Sequence, residues 1–410
     1  MKLEYFIAKR LIAAKDHKSS ISAPIIKIAI TAIALGMIMM IVSIATGIGL
    51  QQKIRQKVSA FNGHIIISGY NDNNSDVSTD PISINQNFYP RFKKVNDIQH
   101  IQAVASKAGM IRTESAFEGI IFKGAGKDYK TDNLKEYLTE GRLPNFKSSL
   151  NDEALISYYL CKRLGLKLGD KFVTYFMKED SEGYNLRNFK IVGIYNSGFQ
   201  EFDANYVIVD IRHIQRINKW KRDEIGSFEV FVDDFSQIES KGQQVYQETS
   251  STLDSQTIVE KYYYIFEWLK LFDFNIIVIL IVMIAVSTIN MVVALLVLIL
   301  ERTQMIGILK SLGANNWTIR KVFLYKAAHL IGRGLLWGNI IGIALLLLQK
   351  YCEIIRLNPE SYYVDVAPVD INIWYILLLN TGTVVICLLV LLIPSYIITK
   401  ITPSKSIRFE

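Results

Sequence analysis

The chain has 410 residues, half of them apolar, with three cysteines and a formal net charge of +8. Three scattered cysteines exclude a small domain held together by disulfides. The positive charge does not indicate nucleic-acid binding, since the basic residues are concentrated beside long apolar runs, where lipid headgroups account for them. The composition therefore favours a membrane protein with a large polar section.

Four apolar runs approach or exceed the roughly twenty residues that are needed to cross a bilayer. The first run is not a cleaved signal peptide, because it is too long and lacks a small-residue cleavage pattern. In chain order we predict a cytoplasmic amphipathic segment (1–27), TM1 (28–50), an extracytoplasmic domain with its stalk (51–271), TM2 (272–300), a cytoplasmic loop (301–326), TM3 (327–349), a short extracytoplasmic loop (350–372), TM4 (373–398) and a cytoplasmic tail (399–410).

The charges predict the orientation of these spans. Lysine and arginine are in excess before the first span, between the second and third, and after the fourth, whereas the loop 350–372 is acidic. The positive-inside rule therefore places both termini and the loop 301–326 in the cytoplasm.

The polar section 51–271 predicts a mixed α and β domain. Short apolar or alternating runs predict strands at Ile65–Ser68, Phe117–Lys123, Lys171–Phe176, Phe189–Tyr195, Tyr206–Val209 and Phe228–Val232. Helical spacing is present at Glu153–Leu164 and Gln237–Thr249. The order lacks a strict βαβ repeat, so we expect an α+β sandwich.

This domain offers little for catalysis, and we expect no catalytic residue, no metal site and no bound cofactor. The five histidines stand apart, with no metal-binding spacing. Gly124-Ala-Gly126-Lys127 faintly suggests a phosphate loop, but it lacks the full spacing, and a glycine turn between strands is the better interpretation. The chain has no Walker motif, so ATP hydrolysis would require another chain.

The segment after the second span is basic, amphipathic and punctuated by glycine. A helix over Arg302–Leu312 would align Met305, Ile306, Leu309 and Leu312 on one face. Gly313 suits the left-handed position that ends a helix, and Asn315 or Asn316 could cap the next one. We therefore predict a short surface helix, a sharp corner and a helix that re-enters the membrane.

Small residues recur within two of the predicted spans. Gly334, Gly338 and Gly342 form two consecutive Gly-x-x-x-Gly steps in the third span, and Gly36 belongs to a weaker stripe in the first. Such stripes let helices approach closely. Packing inside one protomer and packing at a dimer or gate interface remain alternatives.

The sequence Glu301-Arg-Thr-x-x-Ile-Gly-Ile-Leu-Lys-x-Leu-Gly-Ala314 resembles the coupling-helix signature of FtsX-like ABC transporter permeases, and most closely that of the lipoprotein-releasing (Lol) permeases. Six further stretches are similar to that family: Phe6–Arg10, Phe61–Ile65, Leu160–Asp170, Phe189–Ile194 with Gly198–Asp203, Glu360–Val364 and Thr402–Arg408. The fold class that the resemblance implies is an α-helical membrane protein with four transmembrane helices and a large α+β extracytoplasmic domain like the periplasmic core of macrolide exporters.

The resemblance also implies a function in the bacterial inner membrane. The permease would pair with a second permease, identical or paralogous, and with a separate cytoplasmic ABC ATPase that binds the ATP. It would release lipidated proteins from the membrane and pass them to a periplasmic lipoprotein carrier. The residues implied in contact with the ATPase are Glu301, Arg302, Ile306, Gly307, Leu309, Lys310, Leu312, Gly313 and Ala314.

One departure from the family weakens the expectation of carrier docking. The permease that recruits the carrier has a long, proline-containing hook after the turn that corresponds to Gly169-Asp170, whereas here the interval Met177–Asn188 is short, acidic and without proline. Two other functions stay open. A macrolide-exporter-like efflux or signalling permease would share the topology, and a membrane-anchored binding or sensor module would need no ATPase.

Overall fold

The computed structural model describes Glu4, Phe6, Ile7, Arg10 and residues 22–70, 75–78, 80–114, 116–147, 150–178 and 183–401. Most of the predicted segment 1–27, residues 71–74 of a loop and the tail residues 402–410 lie outside this description. The chain divides into two compact units. The helical unit comprises Met1–Gln51, Leu269–Arg356 and Val366–Glu410, and the α/β unit comprises Gln52–Trp268 and Leu357–Asp365.

The helices, in chain order, are α1 (Ser22–Asn62), α2 (Tyr158–Leu164), α3 (Gln200–Asn205), α4 (Ile211–Ile217), α5 (Ile238–Glu248), α6 (Ile258–Lys261), α7 (Tyr263–Glu301), α8 (Thr303–Ser311), α9 (Asn316–Cys352), α10 (Pro359–Tyr362), α11 (Ile373–Ser395) and α12 (Ile397–Lys400). The strands are β1 (Ile65–Gly69), β2 (Ile82–Ser83), β3 (Ile98–Arg112), β4 (Phe117–Ala125), β5 (Leu138–Gly141), β6 (Glu153–Ser157), β7 (Lys171–Met177), β8 (Tyr184–Tyr195), β9 (Tyr206–Asp210), β10 (Glu224–Ile225), β11 (Ser227–Val232) and β12 (Leu253–Thr257). Short 3₁₀ helices occupy Thr131–Tyr137 and Phe235–Gln237.

The four predicted spans each fall within a helix that is long and apolar enough to cross a membrane. Three of these helices extend well beyond the apolar runs. In α1 the extension reaches Asn62, and Ile54 and Val58 are fully buried along it. This i, i+4 spacing gives the polar end of the helix an apolar stripe, so the helix continues past the predicted end of the span.

The small-residue stripes determine how the spans pack within the helical unit. A Cβ atom added at Gly334 would lie 2.7 Å from Cβ of Ile33, and one at Gly338 would lie 2.6 Å from Cβ of Met37. The residue numbers of the contacting pairs rise together along both helices, so α1 and α9 run parallel. Packing inside one protomer is therefore the interpretation that the structure supports for this stripe.

Further contacts show that the other spans alternate in direction. A Cβ at Gly36 would lie 2.6 Å from Ser287 Oγ on α7, and one at Gly47 would lie 2.5 Å from Ile276 Cδ1, so α7 runs antiparallel to α1. Asn339 of α9 and Asn380 of α11 exchange amide hydrogen bonds of 2.7 and 3.0 Å, and Arg320 of α9 bonds Ser395 of α11, so these two helices are also antiparallel. The corner between α7 and α9 and the end of α12 consequently lie at the same end of the helical unit.

The α/β unit is built on a mixed sheet, which has ten strands in the described part of the chain. Its order is β12-β1-β11-β3-β4-β9-β6-β8-β5, and β7 pairs with both β3 and β8. The strands β3, β4, β9, β6, β8 and β7 therefore close into a ring. Phe122, Phe176 and Phe189, from β4, β7 and β8, are fully buried with ring centroids 5.0 and 5.6 Å from that of Phe122. The α+β class is confirmed, whereas the expected sandwich is wrong, because these strands close into a ring.

The predicted helix Glu153–Leu164 is wrong in its first half. Residues 153–157 form β6, in which Ala154, Leu155 and Ile156 are fully buried. A strand that is buried on both faces reads as a continuous apolar run and lacks the alternation of a half-exposed strand. The helix begins only after Ser157, whose Oγ accepts the N–H of Leu160 at 3.0 Å.

Part of the predicted loop 350–372 belongs to the α/β unit. Lys57 Nζ donates to the main-chain oxygen of Tyr363 at 3.0 Å, and the Tyr363 ring stacks on Phe199 at 4.8 Å. Phe199 lies in Gly198–Asp203, one of the stretches that resemble the permease family. This stretch therefore helps to hold the segment Leu357–Asp365 in the α/β unit.

Candidate functional site

The corner between α7 and α9 has the shape that the sequence predicts. The helix α8 spans Thr303–Ser311, with Arg302 and Leu312 as its caps. Gly313 has a φ of 89°, and Asn315 Oδ1 accepts the N–H of Trp317 at 3.1 Å to begin α9. The left-handed glycine and the asparagine cap together turn the chain within four residues.

One face of α8 lies on the spans. Ile306 is fully buried and Gly307 is also buried, while Met305 and Leu309 pack against the same apolar core, which includes Ile299, Phe323 and Leu391. Leu312 does not join this face. It caps the helix and is 77% exposed, because the chain has already left helical geometry there.

Two basic side chains connect this corner to the end of the fourth span. Lys310 Nζ donates to the main-chain oxygens of Ile398 and Ile401, each at 2.7 Å. Arg320 donates through Nε to Ser395 Oγ at 2.9 Å and through a terminal nitrogen to the oxygen of Leu392 at 2.8 Å. The last carbonyls of a helix have no intrahelical partner, so a cation placed there satisfies them and opposes the negative end of the helix dipole.

Partial burial lowers the pKa of the Lys310 ammonium below its ordinary value. The local sequence did not indicate this capping role for Lys310 or Arg320. Their basic character was visible, but their partners lie 72 to 91 residues away.

The opposite face of α8 is exposed. Ile308 is 46% exposed and Leu312 is 77% exposed, and Glu301, Gln304 and Ser311 are also exposed. An anchored helix that presents two apolar side chains is suited to bind another protein. Among the residues that the structure describes, no group of three or more His, Cys, Asp or Glu side chains could hold a metal ion.

Two protein families match this chain. The MacB-like periplasmic core domain family matches residues 28–248, which is more than half of the chain. The chain belongs to this family. The FtsX-like permease C-terminal family matches residues 277–403, which include α8 and the corner, so this part of the chain is an FtsX-like permease region.

Curated relatives resemble the permease over their whole length. The lipoprotein-releasing system transmembrane protein LolE of Haemophilus influenzae is 22% identical over 99% of each chain. The protein LolC of Neisseria meningitidis serogroup B is 24% identical over 100% of this chain and 99% of the relative. A solved structure of the periplasmic region of MacB from Actinobacillus actinomycetemcomitans covers 48% of this chain and 88% of its own, with 16% identity and a TM-score of 0.34.

The strands β7 and β8 pair antiparallel across the shortened interval Met177–Asn188 of the permease. Met177 pairs with Tyr184 across it, and residues 179–182 lie outside the description. Met177, Tyr184 and Leu186 are each more than half exposed. The paired strand ends on either side of residues 179–182 therefore carry apolar side chains on the surface.

Proposed function

We propose that this FtsX-like permease is the membrane subunit of an ABC transporter that releases lipoproteins from the inner membrane, driven by a cytoplasmic ATPase on a separate chain. The observation that carries the proposal is the α8 corner, which has one face anchored to the spans and an apolar tip left open. The full-length relatives that are named as lipoprotein-releasing proteins support the substrate class.

The orientation that we propose puts this corner in the cytoplasm. The corner and the end of α12 lie at one end of the helical unit, and both are rich in lysine and arginine. The positive-inside rule therefore supports cytoplasmic termini and a periplasmic α/β unit.

In the proposed mechanism, closure of the ATPase displaces α8, and the displacement reaches the spans through two routes. Ile306 transmits it through the apolar core shared by the spans, and Lys310 transmits it to α12 through its hydrogen bonds. Because packed cores shift between discrete arrangements and do not deform continuously, a small movement at the corner can move whole helices.

A second permease, identical or paralogous, is part of the proposal. Of the four long helices, α7 is the least buried along its apolar stretch. Ile281, Val282, Ile289 and Val293 are among its exposed side chains. This surface is available to lipid, to lipidated cargo and to the partner permease, and we place the cargo path beside it.

The energetics of lipid transfer support a protein-lined path. Each acyl CH₂ group that leaves an apolar environment costs about 0.8 kcal/mol. Exposing several long acyl chains to water at once would therefore cost tens of kcal/mol. Release must consequently pass the chains from lipid to apolar protein surfaces.

The contact with the ATPase is tested by charging the tip of α8. The change Ile308→Glu with Leu312→Glu is expected to abolish copurification of the ATPase, while the permease still accumulates in the membrane. The matched control is Ile354→Glu with Ile355→Glu, two exposed apolar residues just beyond the other end of α9 (61% and 56% exposed), which is expected to leave copurification intact. Retention of the ATPase by the double variant would exclude α8 as the docking element.

The substrate class is tested separately by depletion of the permease. Lipoproteins are expected to accumulate in the inner membrane fraction and to decrease in the outer membrane fraction. Unchanged sorting, together with normal ATPase copurification, would reject lipoprotein release and leave the assignment as an ABC permease in place.

A further inference from the structure

The α/β unit contains a cleft of about 670 Å³ that the proposed transport function does not use. The turn Gly126–Asp128 that follows β4 forms one wall, and α4 with the loop leading to β10 forms the other. Tyr89, Phe146 and Trp220 add aromatic surface. Ligand sites for small molecules typically have volumes of about 300–1,000 Å³, so the cleft has the size of such a site.

The charge in this cleft is mainly positive. Its lining contains four basic residues, Lys127, Arg212, Arg216 and Arg222, and two acidic ones, Asp128 and Asp210. Protein groups already satisfy both acids. Asp128 Oδ2 accepts from the Ala103 N–H at 2.5 Å and from the Tyr89 hydroxyl at 3.1 Å. The Asp210 carboxylate, only 1% exposed, pairs with Arg212, whose Nε lies 2.8 Å from Oδ1.

Three cations remain after these pairs are removed. Within the part of the chain that the structure describes, the side chains of Lys127, Arg216 and Arg222 have no acidic partner, and all three are exposed. Two guanidinium groups with free donors suit carboxylate and phosphate oxygens, which they can bind in a bidentate manner.

The wall that carries Arg222 is held in place by Gln215. Its buried side-chain amide donates to the main-chain oxygens of Arg222 at 3.2 Å and of Glu224 at 2.8 Å. The main-chain N–H of Trp220 donates to the main-chain oxygen of Gln215 at 2.8 Å, and the Trp220 side chain packs against the core. The cleft is therefore organised before a ligand binds, which reduces the entropy lost on binding.

A nucleotide-hydrolysing phosphate loop is excluded as the explanation. Gly126 and Lys127 follow a strand, but the element after them is the short 3₁₀ helix Thr131–Tyr137 and not the helix that a phosphate loop requires. The Gly-Ala-Gly-Lys segment is a turn, in which the Tyr129 N–H donates to the Gly126 oxygen at 3.2 Å. The turn places Lys127 at the cleft.

We propose that this cleft binds a small organic anion that carries a carboxylate or a phosphate on an apolar body. Arg216, Arg222 and Lys127 hold the oxyanion, and Trp220 with Phe146 contacts the apolar part. Guanidinium groups bind a carboxylate and a phosphate in the same way. The comparison of the two kinds of probe shows which one the cleft prefers.

The test measures binding of phenyl phosphate, benzoate and inorganic phosphate to the full chain in detergent by isothermal titration calorimetry. At least one of the two aromatic anions is expected to bind saturably and at least tenfold more tightly than inorganic phosphate. Preference for phenyl phosphate or for benzoate identifies the oxyanion. No saturable binding, or equal affinity for inorganic phosphate, overturns the proposal.

Variants connect the binding to the cleft. Arg216→Ala with Arg222→Ala is expected to weaken binding of the preferred probe at least tenfold. The pair Lys162→Ala with Lys171→Ala removes the same charge from exposed positions outside the cleft and is expected to change the affinity less than twofold. Arg216→Lys with Arg222→Lys keeps the charge and is expected to bind with intermediate affinity. Equal effects of the two alanine pairs would overturn the proposal.

Discussion

Lys310 and Ile398 are 88 residues apart in the sequence, yet the Lys310 ammonium donates to the main-chain oxygen of Ile398 at 2.7 Å. This hydrogen bond connects the surface helix α8 to α12 at the end of the fourth span. A displacement of α8 therefore acts directly on the last span as well as through the apolar core.

The change Lys310→Met is expected to uncouple the transporter. It removes hydrogen bonds from a charged donor, each worth about 1.5–3 kcal/mol, but leaves the exposed tip of α8 unchanged. The ATPase should still copurify, while lipoprotein release measured by membrane fractionation should fall severalfold. The control Lys310→Arg keeps the charge and donors and should retain most release. Normal release by Lys310→Met would show that this contact does not transmit motion.

The change Gly313→Ala is expected to destabilise the corner. The φ of 89° lies in a region that costs an L-residue about 1–2 kcal/mol. Gly332→Ala is the matched control, since neither position has an atom within 4 Å of the added Cβ and only Gly313 has a positive φ. Thermal unfolding in detergent should show a lower Tm for Gly313→Ala and no loss for Gly332→Ala. Equal Tm values would contradict the role of this backbone conformation.

The change Gly338→Ala is expected to destabilise the permease by about 1–3 kcal/mol through overpacking. The added Cβ would lie 2.6 Å from Met37 Cβ and 2.9 Å from the Ala34 oxygen, which is main chain and cannot move aside cheaply. Gly382→Ala, where no atom lies within 4 Å, is the control. Because the contact lies within one protomer, the loss in Tm should not depend on protein concentration. A concentration-dependent loss would instead indicate an interface between protomers.

The side chain of His64 is expected to make stability depend on pH. Burial lowers its pKa from 6.5 to about 4, and its Nδ1 accepts the Val232 N–H at 3.1 Å, which requires an unprotonated nitrogen. Between pH 6.5 and 4 the unfolded chain binds a proton that the folded chain does not. Stability is therefore complete above pH 6.5 and falls as the pH approaches 4, by about 3 kcal/mol from this residue.

Unfolding by denaturant at pH 7 and at pH 4.5 measures this contribution. The change His64→Asn keeps an acceptor oxygen near the position of Nδ1 but does not titrate. The loss of stability on acidification should be smaller in this variant than in the natural protein. Identical losses would assign the acid sensitivity to other groups.

Local patterns predicted the long helices of the helical unit and six of the twelve strands that the structure describes in the α/β unit. The six predicted strands are present, since each has an apolar or alternating run bounded by turn residues. Two predictions failed, each for its own reason. Residues 153–157 form a strand buried on both faces, and such a run has no period of its own. The ring of six strands depends on β7 pairing with β3, which no local pattern encodes.

The corner was the part of the candidate site that could be predicted best. Gly313 acts through its own backbone and Asn315 through a side-chain hydrogen bond to the N–H two residues on, so their types already indicate their roles. Lys310 and Arg320 differ, because a cation near a helix end has many potential acceptors. Only the packing of α8 and α9 against α11 and α12 selects the carbonyls that they bind.

The sequence by itself determined the four spans, their order and the surface helix between the second and third spans, because hydropathy, charge and turn residues act over a few neighbouring positions. The tertiary structure decided that Gly334 and Gly338 pack against α1 within one protomer and that Lys310 caps the end of the fourth span. It also brought Lys127, Arg216 and Arg222 to one cleft. These relationships join residues tens to hundreds of positions apart, and they exist only once the packing of whole helices and strands has brought those residues together.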